Sequence, residues 1–194
     1  MLVYYDFETT GLNQFHDNIT EYCFLKEKSN TSIISLVNPE KELSEIVRRI
    51  TGITQEMVNS AQPLQEHIFT IIEFLALPNE FTYLVAHNGD NYDFIILREQ
   101  LKKYGYNINT LHFRSIDTLL LAKKMYPHIK KYSLVSLCTQ FGINIMEAHR
   151  ADADTEMVKN LFHYMVNDLV NILSINKETL LHNPEYVYNY INGI

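Results

Sequence analysis

Short apolar runs separated by polar turns divide the chain into strands and helices. Runs of four to eight apolar residues rich in aromatic and β-branched side chains are typical of buried strands, and apolar residues at helical spacing predict helices. Predicted strands cover residues 2–7, 20–26, 31–37 and 81–86, with one more before Asp117. Predicted helices cover residues 42–50, 64–77, 92–104, 118–126, 134–141 and 151–173.

The order of these elements predicts an α/β fold. Three strands come first, and strands alternating with helices follow, which indicates an antiparallel opening and a later parallel part. We therefore expect a central mixed sheet flanked by helices. No long Gly, Ser or Pro linker interrupts the sequence, so residues 1–175 are predicted to form one domain. Residues 176–194 are predicted to form a helical extension around Pro184 that packs on it.

Composition and charge exclude several classes of protein. The 16 Lys and Arg residues face 23 Asp and Glu, a net charge of −7, which argues against coating nucleic acid by bulk charge. No apolar run reaches the roughly 18 residues of a membrane span, and the N-terminus does not resemble a secretory signal. Cys23 and Cys138 lie far apart and are expected to be reduced thiols. A cytoplasmic protein without a membrane partner is the expectation.

The first candidate site is the pair Asp6 and Glu8 at the end of the first predicted strand. Residues two apart on a strand face the same way, so both carboxylates should point to one spot while Phe7 faces the opposite side. Adjacent carboxylates repel each other unless a cation lies between them, and oxygen ligands suit Mg²⁺ or Mn²⁺. A lone pair of this kind is more often two solvated acids. The turn at Gly11, directly after the strand, favours a site at the rim of the sheet instead.

Two further segments carry candidate chemistry. Asp93 follows a buried strand and a polar turn, in the first turn of a predicted helix, where it either points back to the strand ends or simply stabilises the helix N-terminus. His149 precedes the long helix, and Asp154 lies within its first turns. A lone histidine is most often a surface or core residue. An imidazole in a model peptide titrates near pH 6.5 and is suited to taking a proton from water near neutrality.

Together these segments resemble the DEDDh family of 3′→5′ exonucleases, which includes the proofreading exonucleases of bacterial replicative polymerases and ribonuclease T. The family's first motif, Asp-x-Glu-x-Thr-Gly, matches residues 6–11. Its second, His-Asn followed by an Asp, matches His87, Asn88 and Asp93. Its third, His followed five positions later by Asp, matches His149 and Asp154. The resemblance covers roughly residues 1–165 and implies a ribonuclease-H-like fold.

The resemblance also implies a site and a mechanism. Two divalent cations, Mg²⁺ or in its place Mn²⁺, would be held by four acids, with a histidine as general base that removes a proton from the attacking water. The implied catalytic residues are Asp6, Glu8, Asp93, His149 and Asp154, of which the four acids are the metal ligands. The implied substrate-binding residues are Phe7, Thr9, Thr10, Leu12, Ile53, Asn88 and Tyr92. Ile53 is included because Gly52 to Thr54 resembles a Gly-Ile-Thr segment of the family near the substrate.

The function implied is release of nucleoside 5′-monophosphates from the 3′ ends of single-stranded or frayed DNA, in proofreading or repair, with a polymerase as a candidate partner. An exoribonuclease of the ribonuclease T or oligoribonuclease type is the first alternative, because the catalytic residues act on the phosphate and do not read the sugar. A non-catalytic nucleic-acid-binding module is the second. Such a module would be expected to have lost a metal ligand, whereas all four acids and the histidine are present.

Overall fold

A five-stranded sheet organises the fold, as seen in a computed structural model that describes residues 1–145 and 149–194. The strands are β1 (Leu2–Thr9), β2 (Ile19–Lys26), β3 (Ser32–Leu36), β4 (Thr82–Ala86) and β5 (Phe113–Asp117). Their order across the sheet is β3-β2-β1-β4-β5. The pairs β1–β2 and β2–β3 are antiparallel, whereas β1–β4 and β4–β5 are parallel. The predicted mixed sheet is confirmed.

Helices cover both faces of this sheet. The helices of the described residues are α1 (Glu45–Thr51), α2 (Gln55–Asn59), α3 (Leu64–Leu75), α4 (Asp93–Lys103), α5 (Thr118–Met125), α6 (Leu134–Gln140), α7 (Ala151–Leu173), α8 (Lys177–His182) and α9 (Glu185–Asn192). A short 3₁₀ helix, Gly89–Asn91, precedes α4. None of the helices in this part of the chain has the length and apolarity that crossing a membrane requires.

The alternation along β1 divides the core into two layers. Tyr4 faces α7, where its ring meets that of Phe162 at a centroid distance of 5.8 Å. Tyr5 faces the other layer, in a cluster that α3 and α4 complete. Both tyrosine side chains are fully buried. Because side chains alternate along a strand, Asp6 and Glu8 continue the row of Tyr4 on the α7 side.

The structure differs from the sequence-based prediction in a few elements. β1 continues past Phe7 because its pairing with β2 extends to Glu8↔Glu21 and Thr9↔Ile19. The five-residue helix α2 was not predicted, since it is too short to show helical periodicity. The last residues form two helices, α8 and α9, because Pro184, the residue before α9, cannot continue the backbone hydrogen bonds of α8. Leu180 and Val187 from these helices are buried against the α7 layer.

Candidate active site

The carboxyl ends of β1, β4 and β5 meet at one edge of the sheet, because these three strands are parallel. Asp6 and Glu8 occupy this edge on the α7 side, and both are partly buried. The ring of Phe7 faces the opposite layer, with centroid distances of 5.3 Å to Tyr5 and 5.5 Å to Phe24. The alternation thus presents two carboxylates together on one face.

The start of α7 brings a third acid and a histidine to these carboxylates. The backbone N–H of His149 donates to Oδ2 of Asp154 at 3.0 Å, so the residues before the helix fold back over its first turn. One side-chain ligand atom each from Glu8, His149 and Asp154 lie within 4.8 Å of one another. The imidazole is exposed, whereas Asp154 is buried. This arrangement joins residues that are far apart in the sequence.

Asp93 joins the cluster from the start of α4. It is the first residue of α4 and is 5% exposed. The pairing of β1 with β4 ends at Tyr4↔Val85, which leaves the later backbone N–H groups of β1 without a strand partner on this side. Burial raises the pKa of Asp93 to about 7, although hydrogen bonds from its own backbone N–H and from that of Phe7 oppose the rise. Asp93 therefore binds the open edge of β1 beside Asp6.

The electrostatics of the cluster show how closely these acids approach one another. Burial, followed by the charges of Asp93 and Asp154, raises the pKa of Asp6 well above its usual value. Burial, and then the charges of Asp154 and Glu21, raises the pKa of Glu8 to about 8. Burial also raises the pKa of Asp154. In the absence of cations the carboxyl groups are thus driven to retain protons.

This donor set fits divalent cations. Asp93 and Asp154 raise the pKa values of both Asp6 and Glu8, so the four carboxyl groups form a concentration of negative charge that a hard cation with oxygen ligands would neutralise. A full set of ionised acids carries a charge of −4, which two divalent ions would balance. Glu8, His149 and Asp154 have ligand atoms close enough to share one ion. The predicted cation site is therefore compatible with the side chains present.

The turn that leads to Asp93 is fixed from neighbouring strands. The backbone N–H groups of Asn88 and Leu119 both donate to Oδ1 of Asp117, at 2.9 and 2.8 Å. His87 contacts Thr118 Oγ1 through Nδ1 at 2.9 Å and the carbonyl oxygen of Tyr132 through Nε2 at 2.8 Å. Burial lowers the pKa of His87 to about 4, so this imidazole is neutral near pH 7. These contacts connect the ends of β4 and β5 and set where α4 begins.

The predicted substrate-binding residues fall into two groups. Thr9 and Tyr92 are joined through their hydroxyl groups at 2.6 Å, and the Tyr92 hydroxyl also donates to the carbonyl oxygen of Gly11. Leu12, directly after this contact, is 89% exposed, and Thr10 donates to Asp17 Oδ1 at 2.7 Å and so closes the loop. Thr9, Thr10, Leu12 and Tyr92 thus lie together beside the acids, although Thr9 and Thr10 are each only 8% exposed.

The remaining predicted residues are Phe7, Ile53 and Asn88. Phe7 is 6% exposed and Ile53 is wholly buried, in a small cluster with Leu43 and Val58. The side-chain oxygen of Asn88 accepts a hydrogen bond from Asn91 within the turn. A ligand would meet Phe7 and Ile53 in this conformation mainly through their backbone. Their assignment to substrate binding stays a prediction.

Two residues that the sequence analysis did not identify lie directly at this site. Glu21 is opposite Glu8 in the β1–β2 pairing and is 1% exposed. Arg150 donates to it from Nε at 3.0 Å and from Nη2 at 2.6 Å. The sequence did contain one signal for Glu21: it is a charged residue within a largely apolar predicted strand. A buried acid requires a partner, so this position predicts a basic residue nearby. The sequence does not say which basic residue supplies it.

A comparison with protein families identifies the group of proteins that this chain resembles. The family model described as RNase_T, Exonuclease, matches residues 3–162. This range includes the four acids and His149. More than half of the chain is matched.

Curated relatives agree with this match. The chain is 33% identical over 175 residues to the PolC-type DNA polymerase III of Caldanaerobacter subterraneus subsp. tengcongensis, an alignment of 88% of this chain and 12% of that protein. It is also 33% identical over 179 residues to the PolC-type DNA polymerase III of Ureaplasma parvum serovar 3, covering 89% of this chain and 12% of the relative. The chain therefore corresponds to only a small part of each of these polymerases.

Solved structures share the architecture. A structure of Exonuclease I superposes with a TM-score of 0.74 at 17% identity, covering 86% of this chain and 40% of that one. Exonuclease I from Methylocaldum szegediense gives a TM-score of 0.72 at 20% identity, with 86% and 40% covered. The likeness confirms the predicted ribonuclease-H-like fold, and it extends to less than half of those enzymes.

Proposed function

Because the chain belongs to the RNase_T family of exonucleases, we propose that it is a metal-dependent 3′→5′ exonuclease that releases nucleoside 5′-monophosphates from 3′ ends of single-stranded or frayed DNA. The observation that carries this proposal is the meeting of acids from three distant segments. Asp93 from α4 and Asp154 from α7 raise the pKa values of both Asp6 and Glu8 from β1 at one edge of the sheet. His149 adjoins two of them.

The four acids are the proposed ligands of two divalent cations, Mg²⁺ or Mn²⁺. When bound, such ions neutralise the charge that develops on a phosphate during hydrolysis and make water a better nucleophile. Asp6 is the proposed ligand at the centre of the cluster, because the charges of Asp93, Asp154 and Glu8 all raise its pKa. Asp93 reaches the cluster from the start of α4, and Asp154 from the first turns of α7.

His149 is the proposed general base. Its imidazole is exposed beside two less accessible carboxyl groups, so it can receive a proton from water at the site and pass it to solvent. A positioned base of this kind contributes roughly 10²–10⁴ in rate. The N–H of its own backbone is bound by Asp154, which holds the base and a proposed metal ligand in one local unit.

The proposed binding site of the terminal nucleotide consists of Thr9, Leu12 and Tyr92. Leu12 projects from a loop that Thr10 and Asp17 close, and its exposed apolar side chain could lie against a base. Stacking and apolar contacts of this kind do not distinguish one base from another. The site would therefore accept any sequence at the 3′ end.

Two comparisons support DNA as the substrate. The curated relatives are DNA polymerases III of the PolC type, and one structural neighbour is E. coli Exonuclease I in complex with a dA16 oligonucleotide. The polymerase relatives also support a role in proofreading beside a polymerase. A ribonuclease T-like preference for RNA remains the alternative outcome, because discrimination depends on contacts to the 2′-hydroxyl.

The direct test is digestion of 5′-labelled oligonucleotides of matched sequence, as single-stranded DNA, paired DNA, DNA with a mispaired 3′ end, and RNA. We expect a ladder that shortens from the 3′ end of single-stranded and mispaired DNA with Mg²⁺ or Mn²⁺ and stops with a chelator. Liberated nucleotides should be 5′-monophosphates. Faster digestion of RNA would replace the DNA assignment, and metal-independent or internal cleavage would refute the proposal. Asp154→Asn, purified in parallel, controls for contaminating nucleases.

A further inference from the structure

Three donors converge on the buried carboxylate of Glu21. Arg150 supplies two of them, at 3.0 Å from Nε and 2.6 Å from Nη2, and the backbone N–H of Ala151 donates the third at 3.0 Å. The Glu21 side chain is 2% exposed, and that of Arg150 is 38% exposed. A carboxylate out of water needs such partners, and a two-point contact with a guanidinium fixes direction as well as distance.

These contacts hold the first residues of α7 to β2. Ala151 begins α7, so its N–H is one of the groups that no helical carbonyl can satisfy. Glu21 accepts this N–H, and its negative charge is favourable at the positive end of the helix. The carbonyl oxygen of Arg150 then accepts the N–H of Asp154 at 2.9 Å. The helix therefore starts where Glu21 holds it.

The two residues held by Glu21 lie between His149 and Asp154 in the sequence. His149 has a φ of 70°, a left-handed conformation that is uncommon for residues other than glycine. His149 comes directly before the held residues, and its backbone N–H donates to the side chain of Asp154. Asp154 follows them in the first turn of α7. A shift of residues 150–151 would therefore move both side chains relative to Glu8.

The strand pairing explains why this connection lies at the site. Glu8 and Glu21 are paired neighbours on adjacent strands, so their side chains share one face. Two like charges in these positions repel each other unless a cation intervenes. The guanidinium of Arg150 binds Glu21, and its charge also opposes the rise in the pKa of Glu8. Arg150 thus offsets the repulsion between these two adjacent acids.

We propose that Glu21 and Arg150 are positioning residues that hold His149 and Asp154 at the distance from Glu8 that catalysis requires. This inference rests on the proposed exonuclease function. Neither residue is assigned contact with the nucleic acid or the cations. Their effect is exerted on the segment that carries the general base and one of the ligands.

A second connection between the same strand and helix provides a matched control. Glu27, directly after β2, binds Nε2 of His163 in α7 at 2.9 Å and accepts from the Tyr4 hydroxyl at 2.7 Å. It joins β2 to α7 as Glu21 does, but His163 lies more than three helical turns beyond the start of α7. Glu27→Gln should loosen this junction without disturbing His149 or Asp154.

The test compares Glu21→Gln with Glu27→Gln in the whole protein. Steady-state digestion of single-stranded DNA gives kcat, KM and the Mn²⁺ concentration for half-maximal rate. For Glu21→Gln we expect kcat to fall about 10–100-fold and half-maximal Mn²⁺ to rise by a similar factor, with KM changed by less than about threefold. Glu27→Gln should resemble wild type in all three. A fall in activity of equal size in both variants would overturn the proposal.

A second measurement needs neither metal nor activity. Amide hydrogen exchange of the metal-free protein should show that Glu21→Gln exposes the His149 and Ala151 amides at least about tenfold more, while Glu27→Gln leaves them unchanged. Unchanged exchange at these amides together with a normal kcat would refute the positioning role. If wild type itself digests neither DNA nor RNA, the proposed function fails, and the exchange result still decides whether Glu21 holds the segment.

Arg150→Lys covers the case in which Glu21→Gln does not fold. This variant retains the positive side-chain charge but not the two-point contact with Glu21. Its kcat should therefore fall less than that of Glu21→Gln. Circular dichroism verifies the fold of each variant before assay. Wild-type kcat and Mn²⁺ dependence in Arg150→Lys would show that charge alone suffices and would overturn the role of the two-point contact.

Discussion

The two ends of the interface between α7 and the sheet treat acidic residues in opposite ways. At the far end, burial alone would raise the pKa of Glu27, but hydrogen bonds from His163 and Tyr4 bring it below its usual value. At the site end, burial and neighbouring carboxylates raise the pKa values of Asp6 and Glu8. The interface between α7 and the sheet can therefore provide hydrogen-bond partners that stabilise an ionised carboxylate, as it does for Glu27. At the site end, the charges of Arg150 and His149 oppose the rise in the pKa values of Glu8 and Asp154, yet both pKa values stay raised, which is the arrangement that a divalent cation would complete.

The largest effect should come from removing one carboxylate from the site end. Asp6→Asn and Asp154→Asn should each lower kcat at least about 10³-fold, since the metal contribution is worth several kcal/mol. Both variants should still fold, and without metal they should be no less stable than wild type, because the amide is neutral whereas the buried carboxyl group either takes up a proton or repels its neighbours. Digestion of single-stranded DNA and chemical denaturation measure the two quantities. Near-normal kcat in either variant would contradict the assignment of that ligand.

The next effect concerns the general base. His149→Ala should lose roughly 10²–10⁴ in kcat while binding single-stranded DNA as wild type does, because the imidazole acts on water rather than on the strand. The matched control is His128→Ala, at an exposed histidine away from the described cluster. Turnover and fluorescence anisotropy with labelled DNA separate the two properties. Normal turnover of the variant between pH 6 and 8 would remove His149 from the mechanism, whatever its affinity for DNA.

Cation binding should stabilise the folded protein through the site end alone. Mn²⁺ at about 100 times its dissociation constant should raise the free energy of unfolding by about 2.7 kcal/mol for a single site, and more for two. Urea denaturation with and without Mn²⁺ measures this increase, and calorimetric titration gives the number of ions. Asp6→Asn should lose most of the effect, whereas Glu27→Gln should retain it. An equal increase in wild type and Asp6→Asn would place the binding elsewhere.

The pH dependence of the metal-free protein provides a finer comparison. Since the pKa of Glu8 rises from 4.5 to about 8 on folding, the folded protein holds this proton more tightly than the unfolded chain does. The resulting stability is complete below pH 4.5 and is lost as the pH rises through about 8. Relative to Glu8→Gln, wild type should lose on the order of 1–2 kcal/mol across this window, allowing for partial exposure to water.

Urea denaturation in a chelator, repeated at several pH values, measures the difference between wild type and Glu8→Gln. A difference that stays constant with pH would show that folding does not raise the pKa of Glu8. Saturating Mn²⁺ should remove the loss in wild type, because bound cations replace the protons that the folded state otherwise retains.

The smallest effect is expected at the far end. Glu27→Gln should lower the free energy of unfolding by about 0.5–1.5 kcal/mol, the usual net contribution of a hydrogen-bonded group, and leave kcat unchanged. Thermal or urea denaturation and the digestion assay measure both. A large fall in kcat would mean that the two ends of α7 are mechanically coupled, and the contrast between them would then no longer hold.

Much of the architecture could be predicted from local pattern. The residues of α7 were predicted to the residue, because its apolar positions recur at helical spacing over many turns. The short helix α2 was not, since five residues provide little periodicity. The end of β1 was placed too early, because the pairing of Glu8 with Glu21 depends on the partner strand and leaves no local signal.

The amino-acid sequence by itself determined the order of strands and helices, the alternation that sets Asp6 and Glu8 apart from Phe7, and the resemblance to an exonuclease family. These follow from periodicity and spacing, which are local properties of the chain. Only the tertiary structure decided that Arg150 binds Glu21, that Asp93 reaches the open edge of β1, and that Phe7 and Ile53 are buried. Such outcomes depend on which distant segments are brought into contact, and that is fixed by packing of the whole chain.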